Sequence, residues 1–191
     1  MTSSEELPLL TAKDYEAPSL FEPSNLLREA RRQKNLSAIP VPTVCMLDPD
    51  GDVVRHLAAS GRGTRHPGWA CYHTEMWSVD LDGVEVGVVG MAVGGSFAVL
   101  VAEQLAASGC ELLVSVTSAG QIRPLGVPPY FVLIDRALRD EGTSSHYGLF
   151  ITNRGGGLGS GWRAECASRR RSAAVVADGS WRSCGIRARR A

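Results

Sequence analysis

The residues of this chain that could do chemistry follow two apolar runs. Residues 111–122 read ELLVSVTSAGQI, in which Leu and Val pass at once into the small residues Thr-Ser-Ala-Gly. A second apolar run enters the glycine loop GMAVGGS at residues 90–96. Small residues leave hydroxyl and backbone N–H groups accessible to a polar ligand. Ligands of open α/β sheets bind beyond the carboxyl ends of the strands, so both clusters are candidate binding sites.

A single structural unit is predicted to position both clusters. Residues Val84–Val89 and Glu111–Val116 are patterned as buried strands, and Phe97–Ala107 between them is patterned as a helix, with Ser96 as its expected N-cap. A strand, a helix and a second strand form a βαβ unit, which implies parallel strands. The two clusters are therefore expected at the same edge of one sheet.

The flanking sequence extends this α/β pattern. We predict a helix over Ser24–Asn35 with Ser24 as N-cap, a strand over Val41–Leu47, and a short helix that ends at Gly61. Residues 130–138, YFVLIDRAL, are patterned as a further strand. Alternating strands and helices favour an α/β fold around a largely parallel sheet.

Composition narrows the class of protein. The 191 residues are 44% hydrophobic and 21% charged, which suits one globular domain with a sizeable core. No apolar stretch reaches the roughly 18 residues of a membrane span, and the start MTSSEELPLL has acids where a signal peptide has bases. We therefore expect a cytoplasmic protein that does not use a membrane. The five cysteines form no C-x-x-C pair and the four histidines no H-x-x-x-H pair, so we predict no metal site.

Composition and charge divide the chain into three parts. Residues 1–40 form a polar segment with one helix, residues 41–147 the α/β domain, and residues 148–191 a tail. The tail has nine Arg and two acids, and 29 of its 44 residues are Gly, Ala, Arg or Ser. We interpret it as a frame-shifted reading of a GC-rich gene or a disordered basic tail. No aromatic stacking pattern accompanies its arginines, so we do not expect nucleic acid as a partner.

The glycine loop at residues 90–96 does not fully match the motif of any of three common glycine-rich sites. A serine hydrolase elbow, G-x-S-x-G-G, would place Ala92 at the nucleophile, and shifting the frame to Ser96 moves the serine into the helix start. A dinucleotide site requires G-x-G-x-x-G and a P-loop requires G-K-[ST], and neither occurs. The hydrolase remains the weaker alternative.

Three pieces of residues 42–147 occur in the order seen in a known family. They are LDPDGDVVRHL, the stretch LDGVEVGVVGMAVGGSFAVLVAEQLAASGCELLVSVTSAGQIRP, and RALRDEGTSSHY. This set resembles the N-terminal half of the nucleoside phosphorylase and nucleosidase superfamily. The resemblance implies one three-layer α/β/α domain with a mixed, largely parallel, barrel-like sheet, incomplete at its C-terminus. It also implies cleavage of the N-glycosidic bond of a purine or pyrimidine nucleoside by a homo-oligomer.

The resemblance implies substrate-binding roles for residues at strand ends or in the following loops: Asp48, His73, Gly94, Ser118, Ala119 and Gly120. Ser118 matches the family residue that contacts phosphate or ribose, and Ala119 and Gly120 match the wall beside sugar and base. Asp52 is the candidate general base for a water nucleophile. The alternatives stay open: Ser118 as a turn cap, Asp52 as a partner of the helix dipole, and His73 as a solvated loop residue.

The chain also departs from the family pattern. Leu47 replaces the loop glycine, while Gly51, Ser115 and the Tyr72–His73 pair stand where arginines are expected. No cofactor is implied. Inorganic phosphate is the family co-substrate, and a phosphate dianion needs the cations that are missing here, so we favour water as the nucleophile. The family motifs after the R-D-G-T-S loop have no counterpart beyond Tyr147. Impaired activity, or a non-catalytic member that binds a nucleoside or nucleotide, is therefore expected.

Overall fold

The structure contains both strands and helices, as the sequence predicts. The computed structural model describes residues 14, 17–120, 127, 130–136 and 141–146, together with the backbone of 171–180 and 187–189. The helices are α1 (Pro23–Lys34), α2 (Asp52–Ser60) and α3 (Gly95–Ala107), with a short 3-10 helix at Thr143–His146. The strands are β1 (Val44–Asp48), β2 (Thr64–Arg65), β3 (Met76–Leu81), β4 (Val84–Gly90), β5 (Leu112–Gly120), β6 (Phe131–Arg136), β7 (Arg171–Ser180) and β8 (Arg187–Arg189).

All eight strands belong to one mixed sheet in the order β2-β3-β4-β1-β5-β7-β6-β8. Strand β1 is parallel to both of its neighbours, β4 and β5, so the predicted βαβ unit is confirmed, with β1 inserted between its two strands. The hairpin β3–β4 and the pairings of β6 are antiparallel. Among the described residues the sheet is open, with β2 and β8 as its edges, so the expected barrel-like closure is not found.

Strand β1 is covered by apolar side chains on both faces. Cys45 and Leu47 point into a core with Val101 and Leu105 of α3. The alternate residues of β1, Val44 and Met46, pack with the cluster that contains Leu57 of α2. Because successive side chains of a strand point to opposite faces, α2 and α3 lie on opposite sides of this part of the sheet. Each large side chain buried in this way contributes roughly 1.5–3 kcal/mol.

Helix α1 lies outside this core and packs against α3 and the loop before β3. Its buried residues Leu27 and Ala30 form a small cluster with Ala70, which Leu36 flanks. The predicted N-cap is wrong: Glu22 precedes the helix, and Ser24 lies within its first turn, where its hydroxyl bonds to the Glu22 carboxylate. Pro23 at the first helical position starts the helix because its fixed φ suits that position and it needs no hydrogen-bond partner there.

Strand β3 was not predicted from the sequence. It pairs with β4 through a hairpin whose two turn residues, Asp82 and Gly83, have φ of 53° and 84°. Positive φ at both positions is the geometry that Asp-Gly turns favour, because the turn then matches the twist of the strands. The Asp-Gly pair before Val84 was therefore the signal for this hairpin.

Strand β5 is longer than predicted and ends at Gly120 rather than at Val116. The small residues 117–120 are thus the last part of a strand, not a loop beyond it.

Two strands fall within residues 148–191. Strand β7 pairs with β5 in parallel and with β6 in antiparallel orientation, and β8 pairs with β6. The frame-shift hypothesis concerns the gene, and it stays a prediction that sequencing the DNA would test.

Candidate functional site

The carboxyl ends of β1, β4 and β5 meet at one edge of the sheet, because these strands are parallel. The loops that follow β1 and β4 are joined there: the backbone N–H of Met91 donates to the carbonyl of Asp48 at 3.0 Å. The predicted first-strand loop, glycine loop and small-residue cluster therefore share this edge. We call it the carboxyl edge.

Asp48 organises the loop after β1. Its side chain is only 2% exposed. One carboxylate oxygen accepts the N–H of Gly51 at 3.1 Å, and the other accepts the N–H of Val54 at 2.9 Å. Asp48 therefore caps the turn and the first turn of α2 from within the protein. The structure directs this predicted substrate-binding residue inward, where both oxygens are already occupied.

Asp50 connects this loop to the end of β5. Its Oδ2 accepts the backbone N–H of Ser118 at 2.6 Å and the hydroxyl of Thr117 at 3.2 Å. Sequence reasoning singled out the acids on either side, Asp48 and Asp52, and missed this one. Its partners are 67 and 68 residues away in the chain, so only the strand order brings them together.

The backbone geometry of β5 explains why Ser118 has a free N–H to offer. Pairing with β1 ends at Ser115, and the register with β7 shifts between Thr117 and Ala119. Ser118 is therefore left out of the ladder and is exposed, while Ala119 and Gly120 are half-buried. Asp50 satisfies a donor that the sheet leaves unpaired.

The loop after β4 is exposed and conformationally strained. Met91 and Val93 are 61% and 67% exposed, and Met91 has a φ of 65°, which is costly for a residue with a side chain. Gly94 precedes α3 with a φ of 92° and provides no side-chain cap. The prediction of Ser96 as N-cap is wrong, because α3 already begins at Gly95 and Ser96 lies in its first turn.

Residues 141–146 lie against the first turn of α3. The Ser96 and Thr143 hydroxyls are 2.7 Å apart, and Glu141 Oε2 lies 3.3 Å from where a Cβ on Gly95 would be. The Glu141 carboxylate accepts the N–H groups of Thr143 and Ser144. Hydrogen bonds from Ser144, followed by Thr143, lower the pKa of Glu141. The Gly-Thr-Ser part of the predicted family loop is thus beside the glycine loop, whereas Arg139, Asp140 and Tyr147 lie outside the described residues.

His73 and Asp52 lie on different elements around the carboxyl edge. The His73 ring is 6.2 Å from Phe97 in the first turn of α3, in an edge-to-face arrangement, and 6.4 Å from Tyr72. His73 therefore lies beside the first turn of α3, which follows Gly94 in the chain. Asp52 is exposed at the start of α2 and is paired with Arg55. An exposed carboxylate held by a guanidinium one turn away fits a helix-dipole partner better than a general base.

Among the described residues of these loops, the charged side chains named above are mostly carboxylates. Asp50 and Glu141 each accept backbone N–H groups, and Asp52 is neutralised by Arg55. Of the positions where the family pattern has arginine, Gly51 is buried and Ser115 half-buried. Negative side chains disfavour a phosphate dianion and suit an uncharged ligand rich in hydroxyl groups.

Comparison with protein-family models and with curated proteins finds no match to this chain. The family resemblance of the three motifs therefore stays a prediction. Within the described part of the chain, no helix has the length and apolar character needed to cross a bilayer. Over the same residues, no three His, Cys, Asp or Glu side chains are grouped as metal ligands.

Proposed function

We propose that this chain binds a nucleoside at the carboxyl edge, as a relative of the nucleoside phosphorylases and nucleosidases with impaired glycosidic cleavage. The observation that carries the proposal is the pair of hydrogen bonds from Thr117 and Ser118 to Asp50. They join the first-strand loop to the small-residue end of β5, which are two separate pieces of the resemblance. The position of α2 and α3 on opposite sheet faces supports the three-layer architecture that the resemblance implies.

The groups at this site suit the sugar of a nucleoside. A ribose presents hydroxyl groups that both donate and accept hydrogen bonds. Asp50 is half-buried and offers carboxylate oxygens, and the exposed Ser118 offers a hydroxyl. Charge-assisted hydrogen bonds from sugar hydroxyls to a carboxylate are stronger than neutral ones. The Asp50 carboxylate would therefore clamp the sugar.

The same groups would contribute to only part of a cleavage reaction. As the N-glycosidic bond breaks, positive charge develops on the sugar and the base departs with the bonding electrons. A carboxylate at the position of Asp50 stabilises that positive charge. Protonation of the leaving base is the task of motifs that have no counterpart after Tyr147, and transition-state contacts act together. Binding with slow base release follows, and water is favoured over phosphate as the nucleophile.

Asp50→Asn tests the proposal, with Asp52→Asn as the matched control. The introduced amide keeps the size of the side chain but loses the charge that holds the sugar. We expect inosine, uridine or methylthioadenosine to raise the melting temperature of the wild type and of Asp52→Asn. For Asp50→Asn we expect binding about tenfold weaker, as for the loss of one charge-assisted hydrogen bond.

Base release is measured in the same samples, with and without inorganic phosphate. If the two variants bind nucleoside equally well, Asp50 does not contact the ligand. If no nucleoside raises the melting temperature of the wild type, the proposal is refuted. Fast, phosphate-dependent base release would show a complete phosphorylase and contradict the impaired activity. Stabilisation without any release favours the second candidate, a non-catalytic nucleoside-binding protein.

A serine hydrolase is not favoured by the contacts of Ser96. Its hydroxyl bonds to the hydroxyl of Thr143, which is uncharged at neutral pH and is too weak a base to activate a nucleophile.

A further inference from the structure

Three aromatic side chains form a row beside the start of α3. Tyr72, His73 and Phe97 follow one another at centroid distances of 6.4 Å and 6.2 Å. Tyr72 is 39% exposed, His73 is exposed and Phe97 is half-buried. The row therefore has one end anchored in the protein and another open to solvent. We call these three residues the aromatic row.

The exposed end of the row is held in position. Lys34, at the end of α1, donates to the carbonyl of Cys71 and lies 5.4 Å above the Tyr72 ring. The Cys71 side chain is buried in the core beside α3. A cation over the ring face and a buried neighbour in the backbone restrict the motion of Tyr72. Aromatic surface that is rigid before binding loses little entropy on contact with a planar ligand.

The loop after β4 links the aromatic row to the carboxyl edge. It begins at Met91, which is bonded to Asp48, and ends at Gly94, three residues before Phe97. Its exposed side chains, Met91 and Val93, are apolar. A ligand that spans this loop would meet carboxylate and hydroxyl groups at one end and ring faces at the other.

We infer that the aromatic row contacts the base of the nucleoside whose sugar meets Asp50 and Ser118. This inference rests on the proposed function. It assigns a binding surface to the base of the nucleoside, which Asp50 does not contact. Nucleobases are planar, and they stack on Tyr, His and Phe rings with little dependence on base identity. The row accordingly selects for a glycoside that bears an aromatic base over a simple sugar.

NMR of the full chain tests the inference, with inosine and ribose as the two probes. Binding is followed by thermal stabilisation, and contact with the row by the ring-proton resonances of Tyr72 and His73. We expect inosine to shift these resonances through its ring current and ribose to leave them unchanged. His73→Ala should weaken inosine binding about tenfold, whereas the matched control His56→Ala, an exposed histidine on α2, should not.

The possible outcomes separate the inference from the function on which it rests. If inosine stabilises the chain while both ring resonances and the affinity of His73→Ala stay unchanged, the aromatic row is not the base site, although nucleoside binding stands. If ribose shifts the rings as inosine does, the row binds sugar and the inference fails. If neither probe binds, the proposed function fails as well.

Discussion

The loops that follow β1 and β4 end at the same edge of the sheet and each opens a helix, but they are built in opposite ways. After β1, the carboxylate of Asp48 caps the start of α2 from a buried position. After β4, Met91 and Val93 are exposed, and Gly94 precedes α3 without a side-chain cap. The first loop is held by a buried carboxylate, whereas the second presents two exposed apolar side chains.

This difference indicates which loop stabilises the fold and, under the proposed function, which loop faces the nucleoside. A buried carboxylate with two backbone donors contributes to stability because removing it leaves those donors unpaired. The loop after β4 carries backbone strain at Met91 and holds Met91 and Val93 outside the core, so it contributes less to stability. Mutations in the two loops should therefore have unequal effects on folding.

The largest effect is expected from Asp48→Ala. The substitution removes the acceptor of the Gly51 and Val54 N–H groups inside the protein, so we expect the free energy of unfolding to fall by about 3 kcal/mol. Urea denaturation measures the loss. Asp52→Ala is the control: this acid is exposed at the start of α2, and its removal should change stability by less than about 0.5 kcal/mol. Similar losses in both variants would contradict the capping role of Asp48.

Glycine substitutions compare the two loops directly. A Cβ at Gly51 would lie 2.5 Å from Met91 Sδ, whereas a Cβ at Gly94 meets no atom within 4 Å. Both residues have positive φ, so each substitution carries backbone strain of about 1 kcal/mol, and Gly51→Ala adds about another 1 kcal/mol for displacing Met91.

The substitution Met91→Ala tests the difference between the two glycines, because it removes the sulfur atom that a Cβ at Gly51 would contact. In the Met91→Ala background the extra cost of Gly51→Ala should fall, while that of Gly94→Ala should not change. Denaturation of the three single and two double variants measures the coupling. Equal coupling at both glycines would show that the loops are not packed differently.

The smallest effect concerns Glu141, beside the start of α3. Its pKa is lowered by hydrogen bonds from Ser144 and Thr143, so its stabilising effect is present above the ordinary glutamate pKa of 4.5 and is lost as the pH falls through the folded value. Amide exchange at Thr143 and Ser144 should accelerate as the pH falls below about 4.5, relative to the intrinsic rate. In Glu141→Gln this acceleration should be absent. Persistence of the pH effect in the variant would assign it to another group.

Periodicity and turn chemistry predicted much of the fold. The βαβ unit, the stop of α2 at Gly61 and the strand within residues 130–138 all follow from patterns a few residues long. Both predicted serine caps are wrong. Ser24 and Ser96 lie two residues too far along, because Glu22 and Gly94 are the residues that precede the two helices. Strand β3 was missed because the Asp82–Gly83 turn was not given its weight as a hairpin signal.

The candidate site was predicted in part. The sequence indicated that the glycine loop and the small end of β5 share an edge, and the structure brings them there. The contact of Thr143 with Ser96 was not predicted. It did not indicate Asp50, because its role depends on contacts with Thr117 and Ser118 across the sheet. Nor did it distinguish the inward Asp48 from its neighbours, since the direction of a side chain at a strand end depends on packing.

The place of β1 in the sheet has a consequence for synthesis of the protein. Both strands that flank β1 are encoded after it, at Val84–Gly90 and Leu112–Gly120. On the ribosome, the apolar residues of β1 emerge well before either partner, and a nascent chain interrupted before residue 112 would leave one side of β1 unpaired. Such non-local pairing slows folding and prolongs the exposure of aggregation-prone strand edges. We therefore expect the chain to depend on chaperones that bind it while it is translated.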